Sequence, residues 1–123
     1  MDWNYLFTNF EGRISRQPFW IGTLVLWVAS LVLSLVAGAI FGSGFFGSLI
    51  QFLITLAILY PSLAVAAKRF HDRDKSGWWV LIIFIPIVGI IWYIVELGCL
   101  PGTPGPNRFG PDPLGLPALP GRA

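Results

Sequence analysis

The chain has 123 residues, 55% of them hydrophobic and only 11% charged, with a net charge of +2. A soluble domain carries about 25% charged residues, so a water-soluble globule is excluded. The basic balance does not point to nucleic acid, because basic residues beside apolar spans set orientation and touch anionic lipid. The lone Cys99 has no partner for a disulfide or for zinc.

The N-terminal "MDWNYLFTNF" places Trp3, Leu6, Phe7 and Phe10 at i, i+3, i+4 and i+7. That spacing predicts a short amphipathic helix in the membrane interface, although a core-packing helix would use it too. Gly12 is suited to end it and Ser15 to cap the next helix. Residues 17–67 contain no Asp, Glu, Lys or Arg, a run of 51. One crossing needs about 20 apolar residues, so this run holds two spans, over about 18–40 and 47–67. "FGSGFFGS" between them is a turn, and Pro61 is expected to disturb the second span. The charged loop "HDRDKSGWW" follows, with Ser76 as N-cap of a third span ending near residue 97. Trp78 and Trp79 suit one aromatic belt, and Trp92 and Tyr93 the other. Beyond residue 100, seven prolines and five glycines in 23 residues predict an irregular tail, its last ten residues mobile.

The fold expected is thus all-α: a polytopic membrane protein with three transmembrane helices, a short N-terminal interfacial helix and a Pro/Gly-rich tail. Residues 1–100 form the transmembrane domain and 101–123 the tail. Three spans put Arg13, Arg16, Lys68, Arg69, Arg73 and Lys75 on one side and Arg108 and Arg122 on the other. The positive-inside rule then places the N-terminus and the loop in the cytoplasm and the tail outside.

Four readings of the charged loop compete. In a structural reading, Asp72 and Asp74 pair with Arg13, Arg16 or Arg69, while His71, Ser76, Trp78 and Trp79 complete the turn. In a binding reading, Arg13, Arg16, Lys68 and Arg69 hold a lipid phosphate, which suits arginine's planar fork. In a catalytic reading, His71 is a general base oriented by Asp74 or Glu11, but no nucleophile or metal motif accompanies it. In a transport reading, Gln51 and Thr55 would face a pore, yet intramembrane charges are missing. In the tail, Asn107, Gly110 and Asp112 suit turns, and Arg108 and Asp112 are placed to pair.

Three blocks, "FEGRISRQPFW" at 10–20, "KRFHDRDKSGWW" at 68–79 and "GTPGPNRFGPDP" at 102–113, resemble the signature blocks of a bacterial family. It is catalogued as domain of unknown function 805 and comprises small multi-pass inner-membrane proteins. Gly12, Arg13, Arg16, Phe19 and Trp20 fit its first block; Arg69, His71, Asp72, Ser76, Gly77 and Trp79 fit its second. Pro18 departs from it, standing where the family often has an acidic residue. The resemblance implies residence in the bacterial inner membrane and no assigned activity. The chain is therefore expected to be a non-enzymatic accessory or assembly subunit of a larger membrane complex. It needs no cofactor or metal and binds no nucleic acid. Its partners are membrane lipids and either another integral membrane protein or its own copies. The alternatives are a small oligomeric transporter or channel, and an enzyme acting on lipid headgroups through His71.

Overall fold

The computed structural model describes residues 2–114. Every regular element of more than a single bridge is helical. Helix α1 spans Trp3–Thr8, capped by the Asp2 side chain accepting from the Tyr5 N–H at 3.1 Å. Leu6 is its buried anchor, and Trp3 and Phe7 stack on its outer side. The helix stops before Phe10, which leaves to pack edge-on against Tyr60. Gly12 serves a tight turn rather than the helix end: its φ is +93°, and a Cβ there would lie 2.1 Å from the Tyr5 hydroxyl. That hydroxyl accepts from the Arg13 N–H and donates to the Arg13 carbonyl, each at 3.0 Å.

Helix α2 (Arg16–Phe41) and helix α3 (Phe45–Asp72) form an antiparallel pair joined at Gly42 and Gly44. Their 26 and 28 residues measure about 39 and 42 Å, more than the roughly 30 Å of bilayer hydrocarbon. Ser15 takes the N-cap position of α2 without a side-chain cap bond, and Pro18 sits harmlessly in its first turn. Helix α3 passes through Pro61 unbroken, and the Ser62 hydroxyl donates to the Ile58 carbonyl beside it. In the most apolar 18-residue windows of α2 and α3 only 11% and 17% of residues are buried. Their apolar faces point outward, which fits hydrocarbon as the surrounding solvent and not water.

The third apolar stretch is not a single crossing. It starts as a 3₁₀ helix, Gly77–Phe84, capped by the Ser76 hydroxyl accepting from the Trp78 N–H. It breaks at residues 85–87 and returns as α4 (Val88–Tyr93), continued by a π-helix, Ile94–Cys99. Trp79 and Trp92 stack with centroids 6.1 Å apart, whereas thirteen residues of continuous helix would separate them by about 20 Å. Lys75 and Glu96 meet at 2.5 Å. The segment is a hairpin whose entry and exit lie at one end of the molecule. Pro86 supplies a carbonyl that accepts from the Val88 N–H at 2.7 Å, closing a γ-turn with Ile87 at φ 65°, ψ −63°. This conformation is rare for a β-branched residue. Each leg is about 16–18 Å long, half the hydrocarbon thickness.

Two expectations are thereby corrected. The two tryptophan belts are one, because Trp79 and Trp92 lie at the same depth. Residues 101–114 of the tail are not on the far face: Thr103, Gly105 and Asn107 bond to Arg13, His71 and Asp72. The expected mobility of the last ten residues concerns positions outside the described ones for all but residue 114. Placed singly in a cysteine-free background, cysteines at Asp74 and Arg108 should react with a membrane-impermeant maleimide from the same side. Labelling from opposite sides would restore the third crossing and refute the hairpin.

Candidate functional site

The charged end of the molecule is built around one carboxylate. Asp72 ends α3, with its side chain 4% exposed. Arg13 donates to Asp72 Oδ1 from Nε at 3.1 Å and from Nη2 at 2.9 Å. Arg69 donates to Oδ2 from Nη1 at 2.5 Å. Two cations on one anion leave an uncompensated positive charge, and backbone carbonyls absorb it. Arg13 donates to the carbonyls of Thr103 (2.6 Å), Gly105 (2.8 Å) and Gly110 (3.2 Å). Arg69 donates to those of Leu97 (2.6 Å) and Leu100 (2.5 Å). The latter two are at the C-terminal end of the hairpin's return leg, where unpaired carbonyls and the helix dipole favour a cation. The tail crosses close over the pair: a Cβ on Gly102 would lie 2.0 Å from Asp72 Oδ2, and the Thr103 N–H donates to the Asp72 carbonyl at 2.7 Å.

Three further fasteners surround this centre. The buried Lys68 ammonium donates to the Tyr5 carbonyl and, at 2.7 Å, to the Leu6 carbonyl, tying α1 to α3. Glu96 accepts from Lys75 at 2.5 Å and Arg73 at 3.3 Å, pinning the return leg to the loop. Lys75 also lies 5.1 and 5.8 Å from the ring centroids of Trp79 and Trp92. His71 holds the tail: its ring stacks on Phe109 at 4.1 Å, and its carbonyl accepts from Asn107 Nδ2 at 2.9 Å. His71 Nδ1 lies 2.9 Å from the Gly12 carbonyl, an acceptor only, so Nδ1 carries the proton. The turn that places these groups is a Schellman motif: Lys75 N–H donates to Phe70 O and Asp74 N–H to His71 O, with Asp74 at φ +59° where glycine is usual.

The residues proposed from sequence are distributed as follows. Arg13 and Arg69 pair with Asp72 as the structural reading expects. Arg16 does not join them; it donates to the Cys99 carbonyl at 2.9 Å and stays exposed. Arg13, Lys68 and Arg69 are buried with their donors engaged inside the fold, so they do not form the surface phosphate cradle of the binding reading. His71 faces a carbonyl and an aromatic ring, not Asp74 or Glu11. Asp74 pairs with Arg108 at 3.2 Å, which corrects the Arg108–Asp112 pairing. Asp112 instead braces the tail, accepting from the Gly105 and Leu114 N–H groups. Asn107 and Gly110 exchange backbone hydrogen bonds around the tail turn. Ser76 caps the hairpin, Trp79 stacks on Trp92 across it, and both Trp78 and Trp79 are exposed. Gln51 donates to the Ser34 carbonyl on α2, and Thr55 donates within α3 to the Gln51 carbonyl. Sequence reasoning missed Glu96 as a fastener and Gly102 as the crossing point. One acid at the end of an otherwise uncharged run was the available signal for the first.

This is an all-α membrane protein, with two long apolar helices, a shorter apolar hairpin and every described charge gathered at one end. It belongs to the family described as protein of unknown function DUF805, whose model matches residues 7–111. The chain is 38% identical over 126 residues to inner membrane protein YhaH of Escherichia coli strain K12, covering 92% of this chain and 97% of that one. It is 34% identical over 107 residues to inner membrane protein YhaI of the same strain, covering 87% of each. It is 29% identical over 128 residues to the uncharacterized protein YiiR, covering 85% of each. No solved structure matches the chain.

Replacing Asp72 by Asn keeps the shape and strands two buried guanidinium groups. Stability in detergent should fall by about 3–5 kcal/mol in chemical unfolding. Arg108→Ala, which removes an exposed pair, should cost no more than about 1 kcal/mol. Equal effects would refute the ranking. A second expectation concerns pH. The 23 residues 45–67 of α3 suffice to cross the hydrocarbon, and His71 lies beyond them. Burial, with Arg108 and Lys68 nearby, lowers its pKa in the fold, opposed by the Gly12 carbonyl. The unfolded chain then binds the extra proton first, below about pH 6.5, so stability is full above that pH and declines on acidification. Tail protection from protease should weaken between pH 7.5 and 5.5. His71→Gln should flatten that change, and an unaltered slope would refute the assignment.

Proposed function

We propose that the chain is a non-enzymatic component of the bacterial inner membrane, an accessory or assembly subunit joined through α2 and α3 to another membrane protein or to copies of itself. Its N-terminus, charged loop and tail face the cytoplasm, and anionic lipid contacts this end through Arg16. The observation that carries the reading is the use made of the polar groups. Arg13, Arg69, Asp72, Glu96, Lys75 and His71 are engaged in holding four chain segments together. A set committed to fastening is suited to a rigid platform more than to proton transfer. The cytoplasmic assignment is supported by the charge distribution: seven of the eight basic residues lie at this end, and Arg122 falls outside the described residues. The names of YhaH and YhaI support the inner membrane.

The association surface is supported by the hairpin's shortness. Beyond its tip, α2 and α3 continue with Leu31, Leu35 and Ile40 exposed, and a Cβ on Gly38 would meet nothing within 4 Å. Small residues on such a face allow close helix approach. Native mass spectrometry after mild extraction from the original membrane should find the chain with a defined protein partner or in a fixed copy number. Gly38→Leu should reduce that complex while leaving the tail protected. Recovery of lone chains, matched by single-step photobleaching in the membrane, would refute the subunit role.

A further inference from the structure

An apolar cavity of about 400 Å³ opens between α2, α3 and the hairpin. Phe19, Trp20, Thr23, Leu26 and Trp27 form its α2 wall, Ser62 stands on α3 and Ile90 on the return leg. Phe19, Trp20, Thr23 and Trp27 follow Arg16 at offsets of 3, 4, 7 and 11, so Arg16 heads the same helix face. From Arg16 to Trp27 is about 16 Å of helix, close to the depth of one leaflet. The seam between α2 and the return leg is held at its top by Arg16 donating to Cys99 O and Trp20 Nε1 donating to Gly98 O. Below those bonds Trp27, Ile90 and Ile94 are exposed, so the cavity opens sideways.

Arg16 differs from its neighbours in charge bookkeeping. Arg13 and Arg69 face Asp72, Arg73 and Lys75 face Glu96, and Arg108 faces Asp74. Lys68 is buried on carbonyls of α1. No carboxylate pairs with Arg16 among the described residues, and it is exposed. We infer that this seam is a binding slot for one anionic phospholipid, with an acyl chain in the cavity and the headgroup phosphate on Arg16. The inference deepens the lipid contact proposed above and rests on that end lying at the headgroups. Three features select the ligand. The volume and apolar lining suit a flexible hydrocarbon chain. The lateral opening admits it from the bilayer. The guanidinium, already anchored through Nη1, presents its remaining donors to phosphate oxygens.

The test uses the full chain in nanodiscs of equal parts phosphatidylglycerol and phosphatidylcholine, released into native mass spectrometry. One phosphatidylglycerol should be retained about tenfold over phosphatidylcholine, whose choline cation neutralises the phosphate that both lipids carry and opposes the charge of Arg16. Arg16→Gln should abolish the headgroup preference and Arg16→Lys should keep part of it. Thr23→Phe should displace either lipid by filling the slot, with Ser62→Leu as a second filler if the first variant misfolds; tail protection from protease reports folding in each. Added inorganic phosphate should not compete, because it carries no chain. Equal retention of the two lipids by the unaltered protein, an Arg16→Gln variant that keeps the preference, folded fillers that retain lipid, or displacement by phosphate would each overturn the slot. Protein copies are counted in the same spectra, so a lost lipid preference with an intact complex refutes the slot alone.

Discussion

A carboxylate removed from water must be met by cations, and a cation removed from water must have all its donors satisfied. Asp72 imposes this on the whole charged end. It takes three hydrogen bonds from two guanidinium groups, and their remaining donors reach carbonyls of residues 97, 100, 103, 105 and 110. Those carbonyls are available because the return leg ends at Cys99 and residues 101–114 beyond it are not helical. Arginine, with five donors in a fixed fork, can bridge a carboxylate and several carbonyls at once, whereas lysine cannot. The same constraint therefore fixes where the hairpin must end and where the tail must lie.

The hairpin obeys a second constraint, that backbone groups in an apolar medium be satisfied within the protein. Residues 85–87 interrupt the helix, and the local bonds Ile85 N–H to Ile82 O, Val88 N–H to Pro86 O and Gly89 N–H to Ile85 O carry the chain through the reversal. Pro86 has no N–H to offer a continuous helix, and Ile87 bears the unfavourable torsion of the reversal. Because the legs are short, the near half of the molecule contains α1, α2, α3 and both legs, while the far half contains α2 and α3. The lateral cavity arises where the short legs meet the long helices.

Much of this was legible in the sequence because it is local. The two crossings follow from 51 residues without a charge, the α2–α3 turn from its glycines, and the cap at Ser76 from a side chain beside the N–H group it serves. The pairing of Asp72 with Arg13 and Arg69 was among the readings, since clustered opposite charges beside hydrocarbon have few other outcomes. The placement of Trp92, Glu96 and the tail was not legible. An apolar run of about twenty residues is long enough to cross once or to enter and return, and hydropathy is the same in both cases.

Which residues enter hydrocarbon and which gather at its edge thus follows from the order of side chains alone, since transfer from water is a property of each side chain and its near neighbours. The direction of the third segment and the face on which residues 101–114 lie were settled on folding. Those depend on bonds between groups far apart in the chain, Arg13 with Asp72 across 59 residues and with Thr103 across 90. Their strength comes from burial that exists once the segments have met.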